Sequence, residues 1–521
     1  MDLRNRVGQS SIGRFLRMER KWRVLTVVCI GVFMLLLDIT VVNVALPDIQ
    51  KELHTSFTQL QWVVDAYALT LAVTILNAGT LGDLRGRKRV FLVSIALFTI
   101  ASALCGAATS PLFLILARGL QGIGGAGMFA VSLAIIAQEF HGRERGTAFG
   151  IWGATVGIAV AIGPLVGGAL TTYAGWRWIF FVNVPIGIAV VVGGMRELHE
   201  SQNEEAGGFD LPGFLTLTSG LFALVIALFE GNHWGWSSGR IIGLFAAAAV
   251  LLFSFAFIEL RQRSPMFDFR LFRVPTFTGA QTTAFAISAG MFSMFLFLTL
   301  YLQNVIGYSA VKTGVIFLPL TLTSFVVAPI AGRLSARFPV RWFLGGGLAI
   351  VGASLLLMRG LTLDSTASSL MLGFVVGGIG IGLVNAPLAA TAVSVVAPQR
   401  AGMASGINNT FRQVGIATGI AALGAVFQSQ IATHLASLGL PTAIAPAVAS
   451  GGYGIPQLEL QNARLPQSTF RVFVGAHESF IHGLNSILLV AAIVLFVGAL
   501  LAFLLVREKD FVASGPAAAG H

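Results

Sequence analysis

Fourteen apolar runs, each long enough to cross a lipid bilayer as a helix, divide this chain. They lie at about 24–45, 60–81, 90–109, 112–138, 146–171, 177–195, 211–229, 240–259, 276–303, 311–332, 341–359, 369–394, 401–427 and 481–506. A hydrocarbon core of roughly 30 Å needs about 20 helical residues. Of the 521 residues, 55% are hydrophobic and only 11% charged, and the mean hydropathy is +0.83. No soluble fold hides that much apolar surface, so the chain reads as an all-α polytopic membrane protein. The basic, polar start leads into a run of full spanning length without a small-residue cleavage signal, so the first helix is expected to be retained.

Lysine and arginine orient the spans. With both termini in the cytoplasm, the inner segments hold 24 of the 33 basic residues, the outer segments seven, and Arg118 and Arg412 fall within spans. This alternation accounts for the net charge of +11 without a basic domain or any nucleic-acid motif. Cys29 and Cys105 both lie in apolar runs and suggest neither a metal site nor a disulfide framework.

The first and last six spans resemble each other at an offset of 256. Gly122-Ile123-Gly124 aligns with Gly378-Ile379-Gly380, and Gly146, Ala148 and Gly150 align with Gly402, Ala404 and Gly406. A second echo pairs GDLRGR at 82–87 with GRLSAR at 332–337. The expected organisation is a cytoplasmic arm (1–23), a six-helix half (24–195), a two-helix insertion with cytoplasmic linkers (196–275), a second six-helix half (276–506) and a cytoplasmic tail (507–521). The second half includes an extracellular loop at about 428–480, expected either to form a small hairpin or to be mobile. Parallel repeats of this kind place a substrate site between the halves, near the middle of the membrane. The ionisable groups are unequally shared: Phe374 stands opposite Arg118 in the repeat, Arg333 opposite Asp83, and Ile420 opposite Pro164.

Asp38, in LDITVVNVALP, is a carboxylate inside a span, where an aspartate costs about 2.5–3.5 kcal/mol. It lies nine residues before Pro47, roughly 13 Å below the outer end at 1.5 Å per residue. Arg118 lies roughly 10 Å below the same face, at similar depth and with opposite charge. Pairing favours the ionised carboxylate and desolvation the protonated one, a balance suited to a site that binds and releases a proton. Asp38 is therefore expected to be the main proton-coupling group, with Arg118 modulating it. Asp65, about one turn into the second span beside Trp62 and Tyr67, reads in three ways. It is an outer-interface residue in contact with water, a cation-recognising carboxylate aided by cation–π attraction, or a second proton site.

Six stretches taken together resemble the fourteen-helix drug:H+ antiporter branch of the major facilitator superfamily. They are LDITVVNVALP (37–47), GTLGDLRGRKRV (79–90), RGLQGIGGAG (118–127), GIAVAIGPLVGG (157–168), YLQNVIGYSAVKTGVIFLP (301–319) and NNTFRQVGIATG (408–419). The resemblance runs from about 24 to 506. It implies a 6+2+6 helix arrangement and a proton-coupled efflux antiporter that exports lipophilic drugs or antibiotics by alternating access. It also implies that helices 1 and 4 line a cavity, which would let Asp38 and Arg118 meet. Gly82, Asp83, Gly86, Arg87 and Lys88 would form a gate that locks the halves outward-facing. Gly157, Gly163, Pro164, Gly167 and Gly168 would form a helix-5 bend that limits leak.

Candidate substrate contacts are Asp38, Asp65, Trp62, Tyr67, Asn43, Tyr301, Asn304 and Asn385, with Gln303 nearby. Arg412 is the remaining membrane cation, able to bind a helix-end carbonyl, a lipid headgroup or substrate. Glu139, Glu230 and Glu259 read as structural residues at span ends. With no acidic residue in the last six spans, cationic, zwitterionic or neutral lipophilic compounds are the expected substrates.

No phosphate-binding glycine loop, nucleophile elbow or zinc motif occurs, and the eight histidines are scattered, so an enzyme or a directly ATP-driven pump does not fit. No cofactor is expected beyond the proton gradient. The expected partners are a small lipophilic substrate, protons and membrane lipids, not nucleic acid, with one chain as the working unit in a bacterial cytoplasmic membrane. Export of an endogenous lipid, siderophore or metabolite by the same mechanism is the alternative, ahead of a channel or a transport-inactive sensor.

Overall fold

The computed structural model of the chain describes residues 19–511 except 56, 141, 203–209, 263–264, 266, 398–399 and 451–465. Helices dominate, as lipid demands: every backbone N–H and C=O needs an internal partner there. The first half comprises α1 (Arg20–Leu53), α2 (Phe57–Arg85), α3 (Arg87–Gly106), α4 (Pro111–Glu139), α5 (Gly142–Ala174) and α6 (Trp178–Glu197). The insertion is α7 (Leu211–Trp234) and α8 (Gly239–Arg261). The second half comprises α9 (Pro275–Val305), α10 (Ala310–Leu334), α11 (Val340–Leu357), α12 (Ser368–Ser394), α13 (Ala401–Ser437) and α14 (Gln467–Leu505). Among the described residues, 13 helices are long and apolar enough to cross a membrane. The 33-residue α5 stands in the place of the expected fifth span.

Local chemistry sets the helix ends. Ser110, Asp210, Ser238 and Ser309 each accept a backbone N–H of the first turn of α4, α7, α8 and α10 with their side chains, satisfying donors that the helix itself leaves unpaired. Gly86 separates α2 from α3 at φ +104°, a conformation that a Cβ would strain.

Three helices run further than their apolar runs suggest. α1 continues through Pro47 to Leu53, α13 reaches Ser437, and α14 starts at Gln467. The loop expected over 428–480 is therefore helical at both edges. Its described remainder contains a short helix, Ala445–Ala449, and residues 451–465 lie outside the description. The difference is physical: helix formation does not stop at the bilayer surface, whereas hydropathy does. Two acids read as interfacial are also enclosed. Glu259 is 2% exposed and accepts from the N–H of Phe267, while Glu230 is 8% exposed. Glu139 pairs with Arg20 at 2.8 Å.

The repeat is visible in the packing. A Cβ on Gly122 of α4 would run into Thr70 and the Tyr67 carbonyl of α2, and one on Gly378 of α12 into the Leu320 carbonyl of α10. Gly124 and Gly380 likewise sit against α3 and α11. Across the seam, Gly146 of α5 abuts the Gly332 carbonyl of α10, and Gly402 of α13 abuts the Gly79 carbonyl of α2. These are the same helix pairing under the repeat. α4 is deeply enclosed, with 83% of its most apolar stretch buried, against 17% for α8. α7 packs Leu217, Leu221 and Val225 with Leu69, Val73 and Leu76 of α2 and Met403 and Ile407 of α13. The insertion thus covers the α2–α13 seam.

Candidate functional site

Asp38 sits on α1 with 2% of its surface exposed. Its Oδ2 accepts from Arg118 Nη1 at 2.5 Å. Its Oδ1 accepts from Gln121 Nε2 at 2.9 Å and from Asn183 Nδ2 at 3.0 Å. The carboxylate therefore meets one cation and two neutral amides, the satisfaction that a buried charge requires.

Arg118 is held as fully. Its Nε donates to the Val63 carbonyl at 3.1 Å, its Nη1 also donates to Gln121 Oε1 at 2.7 Å, and its plane lies 4.3 Å above the centre of the Tyr67 ring. Behind them, Asn183 Nδ2 donates to Ser102 Oγ at 3.0 Å, and Ser102 Oγ donates to the Phe180 carbonyl at 2.9 Å. Six residues from α1, α2, α3, α4 and α6 thus form one polar network inside the first half.

Gln121 follows Arg118 by three residues, hence on the same face of α4, and the RGLQG stretch carried that signal. Ser102 carried none, and Asn183 opens the long part of α6 without a distinguishing pattern. The network also moves two sequence assignments. Tyr67 is 2% exposed and faces Arg118, not Asp65, because residues two apart on a helix point to different sides. Asp65 is half-buried and shares its face with Trp62, Leu69, Val73 and Leu76, the face turned to α7. The charged group acting on it is Glu230 of α7, not Asp38 or Arg118.

The glycines of α5 bring that helix against α1 beside the network. A Cβ on Gly163 would overlap the Thr40 side chain, and one on Gly167 would lie 3.0 Å from the Val41 carbonyl. Gly157 and Gly168 face Ser324 and Val311 of α10. Asn43 and Pro164 fall on α1 and α5, and their side chains lie outside the described residues.

A second ionic site closes one end of the seam. Asp83 Oδ1 accepts from Arg87 Nε at 2.9 Å and Nη2 at 2.8 Å, and the carboxylate also accepts the backbone N–H of Gly402 at 3.0 Å and of Met403 at 2.7 Å. The last two are first-turn donors of α13, so a carboxylate of one half caps a helix of the other, where the positive end of the helix dipole stabilises it. Its repeat partner Arg333 bonds Thr147 Oγ1 of α5 at 3.2 Å instead, so only one of the two equivalent contacts carries an anion.

Gly82 packs on Val131, and Lys88 Nζ donates to the Met195 carbonyl at 2.8 Å. Glu200, in the linker after α6, accepts the backbone N–H of Lys88 at 3.1 Å and Arg89 at 3.2 Å, and its carboxylate lies against Gly86. Sequence reading missed this clasp.

In the second half, Arg412 donates from both Nη atoms to Asn385 Oδ1 at 3.2 and 3.3 Å. Two other substrate candidates lie elsewhere. Tyr301 is fully enclosed and stacks on Phe480 of α14 at 6.5 Å, inside the core of the second half. Asn304 donates to the Ser450 carbonyl at 3.3 Å, tying α9 to the loop after α13. Gln303 is half-buried on the same turn.

A family model described as Major Facilitator Superfamily matches residues 28–420. The chain is 39% identical over 408 residues to the multidrug resistance protein Stp of Mycobacterium tuberculosis, covering 78% of this chain and 76% of that protein. It is 37% identical over 417 residues to the tetracenomycin C resistance and export protein of Streptomyces glaucescens, covering 79% and 77%. Among solved structures, the human organic anion transporter MFSD10 aligns with TM-score 0.59 at 15% identity over 92% of this chain and 100% of that one, a likeness of fold.

Proposed function

The chain belongs to the major facilitator superfamily of multi-pass transporters of the bacterial cytoplasmic membrane, and from that premise we propose that it exports lipophilic drugs or antibiotics in exchange for protons. The working unit is one chain with fourteen spans and both termini in the cytoplasm. The observation that carries the coupling is the Asp38 network: an ionisable carboxylate sealed inside a membrane half, opposite an arginine. Relatives named for multidrug resistance and for tetracenomycin C export support the choice of cargo.

The geometry suggests how the cycle runs. The seam is shut at the end bearing Asp83, Gly146 and Gly402, which the basic-residue bias assigns to the cytoplasm. With that end shut, a proton reaches or leaves Asp38 by way of the outer side, from which protons enter, once the enclosed network loosens. A proton on Asp38 cancels its ionic attraction to Arg118 and replaces an acceptor lone pair with a donor, so the network must rearrange. Thr40 and Val41, packed on Gly163 and Gly167 of α5, pass a shift of α1 to the helix that meets α10 across the seam. Because Asp38 is enclosed in this state, its role is proton binding, and the substrate meets the face between the halves.

The test is transport in proteoliposomes with an imposed pH gradient, against cationic, zwitterionic and neutral lipophilic compounds. Export predicts that at least one compound is concentrated against its gradient and that adding it releases protons in a fixed ratio. Equilibration without proton movement would remove the antiport reading.

A further inference from the structure

α13 carries a buried polar stripe, Ser405, Asn408, Asn409 and Arg412, spaced by three and four residues and so on one face. Gly402 and Gly406, at the stripe's edge, touch α2 of the other half. Asn385, which holds Arg412, has its Cβ 3.7 Å from where a side chain on Gly153 of α5 would begin. Asn408 donates to Gln281 Oε1 of α9 at 3.1 Å, inside its own half, so it is the Asn409 and Arg412 side of the stripe, next to Gly402, Gly406 and Asn385, that borders the seam between the halves. Arg412 lies eleven residues along α13 from Ala401, about 16 Å from the closed end and near the middle of the membrane.

Several polar groups of the stripe lack partners, Ser405 Oγ and Asn408 Oδ1 among them, and two residues stand out. Arg412 is 9% exposed, and among the described residues no carboxylate lies within ion-pair distance of it, in contrast to Arg118 with Asp38. A guanidinium has five N–H donors, and its contact with the single Asn385 oxygen engages two NH2 groups. One turn away, Asn409 is wholly buried, and neither its amide nitrogen nor its oxygen has a hydrogen-bond partner. Buried charge and buried amide donors both require partners, and the partner that satisfies both is an anion.

We propose that Arg412 and Asn409 form an anion subsite at the seam that takes the carboxylate of a lipophilic organic acid. The fork of the guanidinium matches a carboxylate in two parallel hydrogen bonds, and the Asn409 amide supplies a further donor. Among the described residues the first half offers no competing cation there, because Arg118 is neutralised within its own network. The subsite widens the expected cargo from cationic, zwitterionic and neutral compounds to organic acids. It rests on the export reading only in calling its ligand a substrate.

The test uses three probes that share one pyrene body: 1-pyrenebutyrate, 1-pyrenebutanol and 1-pyrenebutylamine. Binding is followed by fluorescence anisotropy on the purified full chain, and proton release in proteoliposomes is followed in parallel. The wild type should bind the butyrate at least about tenfold more tightly than the butanol, the gain of one charge-assisted hydrogen bond. Arg412→Gln should erase that preference while leaving butanol binding unchanged, which also reports that the variant is folded. Arg412→Lys should keep part of it, and Asn409→Ala should weaken the butyrate alone. Equal affinity of the wild type for the three probes, or an equal loss of all three in Arg412→Gln, overturns the subsite. A butyrate preference that persists when no probe moves protons counts against proton-coupled export and leaves the subsite standing.

Discussion

Among the described residues, Asp83 is the one carboxylate that caps a helix across the seam, and replacing it with asparagine isolates that contact. The change keeps size and removes charge. The pair with Arg87 lies within the first half and survives opening, so only the bonds to Gly402 N and Met403 N, at 3.0 and 2.7 Å, distinguish closed from open. An asparagine oxygen can still accept one of them. What goes is one charge-assisted hydrogen bond, roughly 1.5–3 kcal/mol, and the charge–dipole attraction, roughly 0.3–1 kcal/mol. Partial solvation of the N–H in the open form reduces the sum, leaving about 2 kcal/mol, or about 30-fold in the closed-to-open ratio. Nitroxides on Arg85→Cys and Arg337→Cys, two exposed sites at this end of the two halves, read that ratio by electron–electron distance measurement. The native Cys29 and Cys105 are buried and should stay unlabelled. A single short distance should give way in Asp83→Asn to a second, longer population. An unchanged distribution in both Asp83→Asn and Asp83→Ala would refute the lock.

Three further outcomes follow from individual contacts. Gly163→Ala places a methyl into the Thr40 side chain and should destabilise the α1–α5 contact by about 1–3 kcal/mol, with impaired transport that Thr40→Gly partly restores; full activity in the single variant would contradict the packing. Glu200→Gln weakens the carboxylate that caps α3; it should cost about 1 kcal/mol and hasten amide exchange at Lys88 and Arg89, without abolishing transport. Glu52, beyond the span of α1, is pushed up by partial burial, but hydrogen bonds from Trp176 and Arg177 and the charge of Arg177 outweigh that and hold it below the usual carboxylate range. A depressed folded-state value adds stability above the unfolded carboxylate range that is lost as pH falls through the folded value. The melting temperatures of wild type and Glu52→Gln should therefore differ at neutral pH and converge in acid.

Much of this architecture was legible because the bilayer makes demands that sequence must answer openly. Apolar run length marked the helices, basic residues suggested an orientation, and depth arithmetic put Asp38 and Arg118 level before any contact was known. Glycine spacing gave the repeat, which reappears as α5 on α10 and α13 on α2. The remainder was hidden for an equally physical reason. A helix in lipid is apolar on nearly every side, so its sequence does not say which face meets which neighbour. Hence Tyr67 was grouped with Asp65 when it lies under Arg118, and Tyr301, named as a substrate contact, packs on Phe480. Gln121 and Asn183 matter only because three helices converge on Asp38, which no single stretch encodes. Arg412 was visible as a residue, but the lack of a counter-ion among the described residues became an argument only once Asn385 and Asn409 stood beside it.

The central claim is that the Asp38 carboxylate carries the proton. Its most direct test is Asp38→Asn in proteoliposomes, measuring both downhill substrate equilibration and accumulation driven by an imposed pH gradient. The account predicts that equilibration persists, since the neutral amide stands in for the protonated carboxyl, while gradient-driven accumulation and substrate-induced proton release disappear. Accumulation at the wild-type level by Asp38→Asn would contradict it.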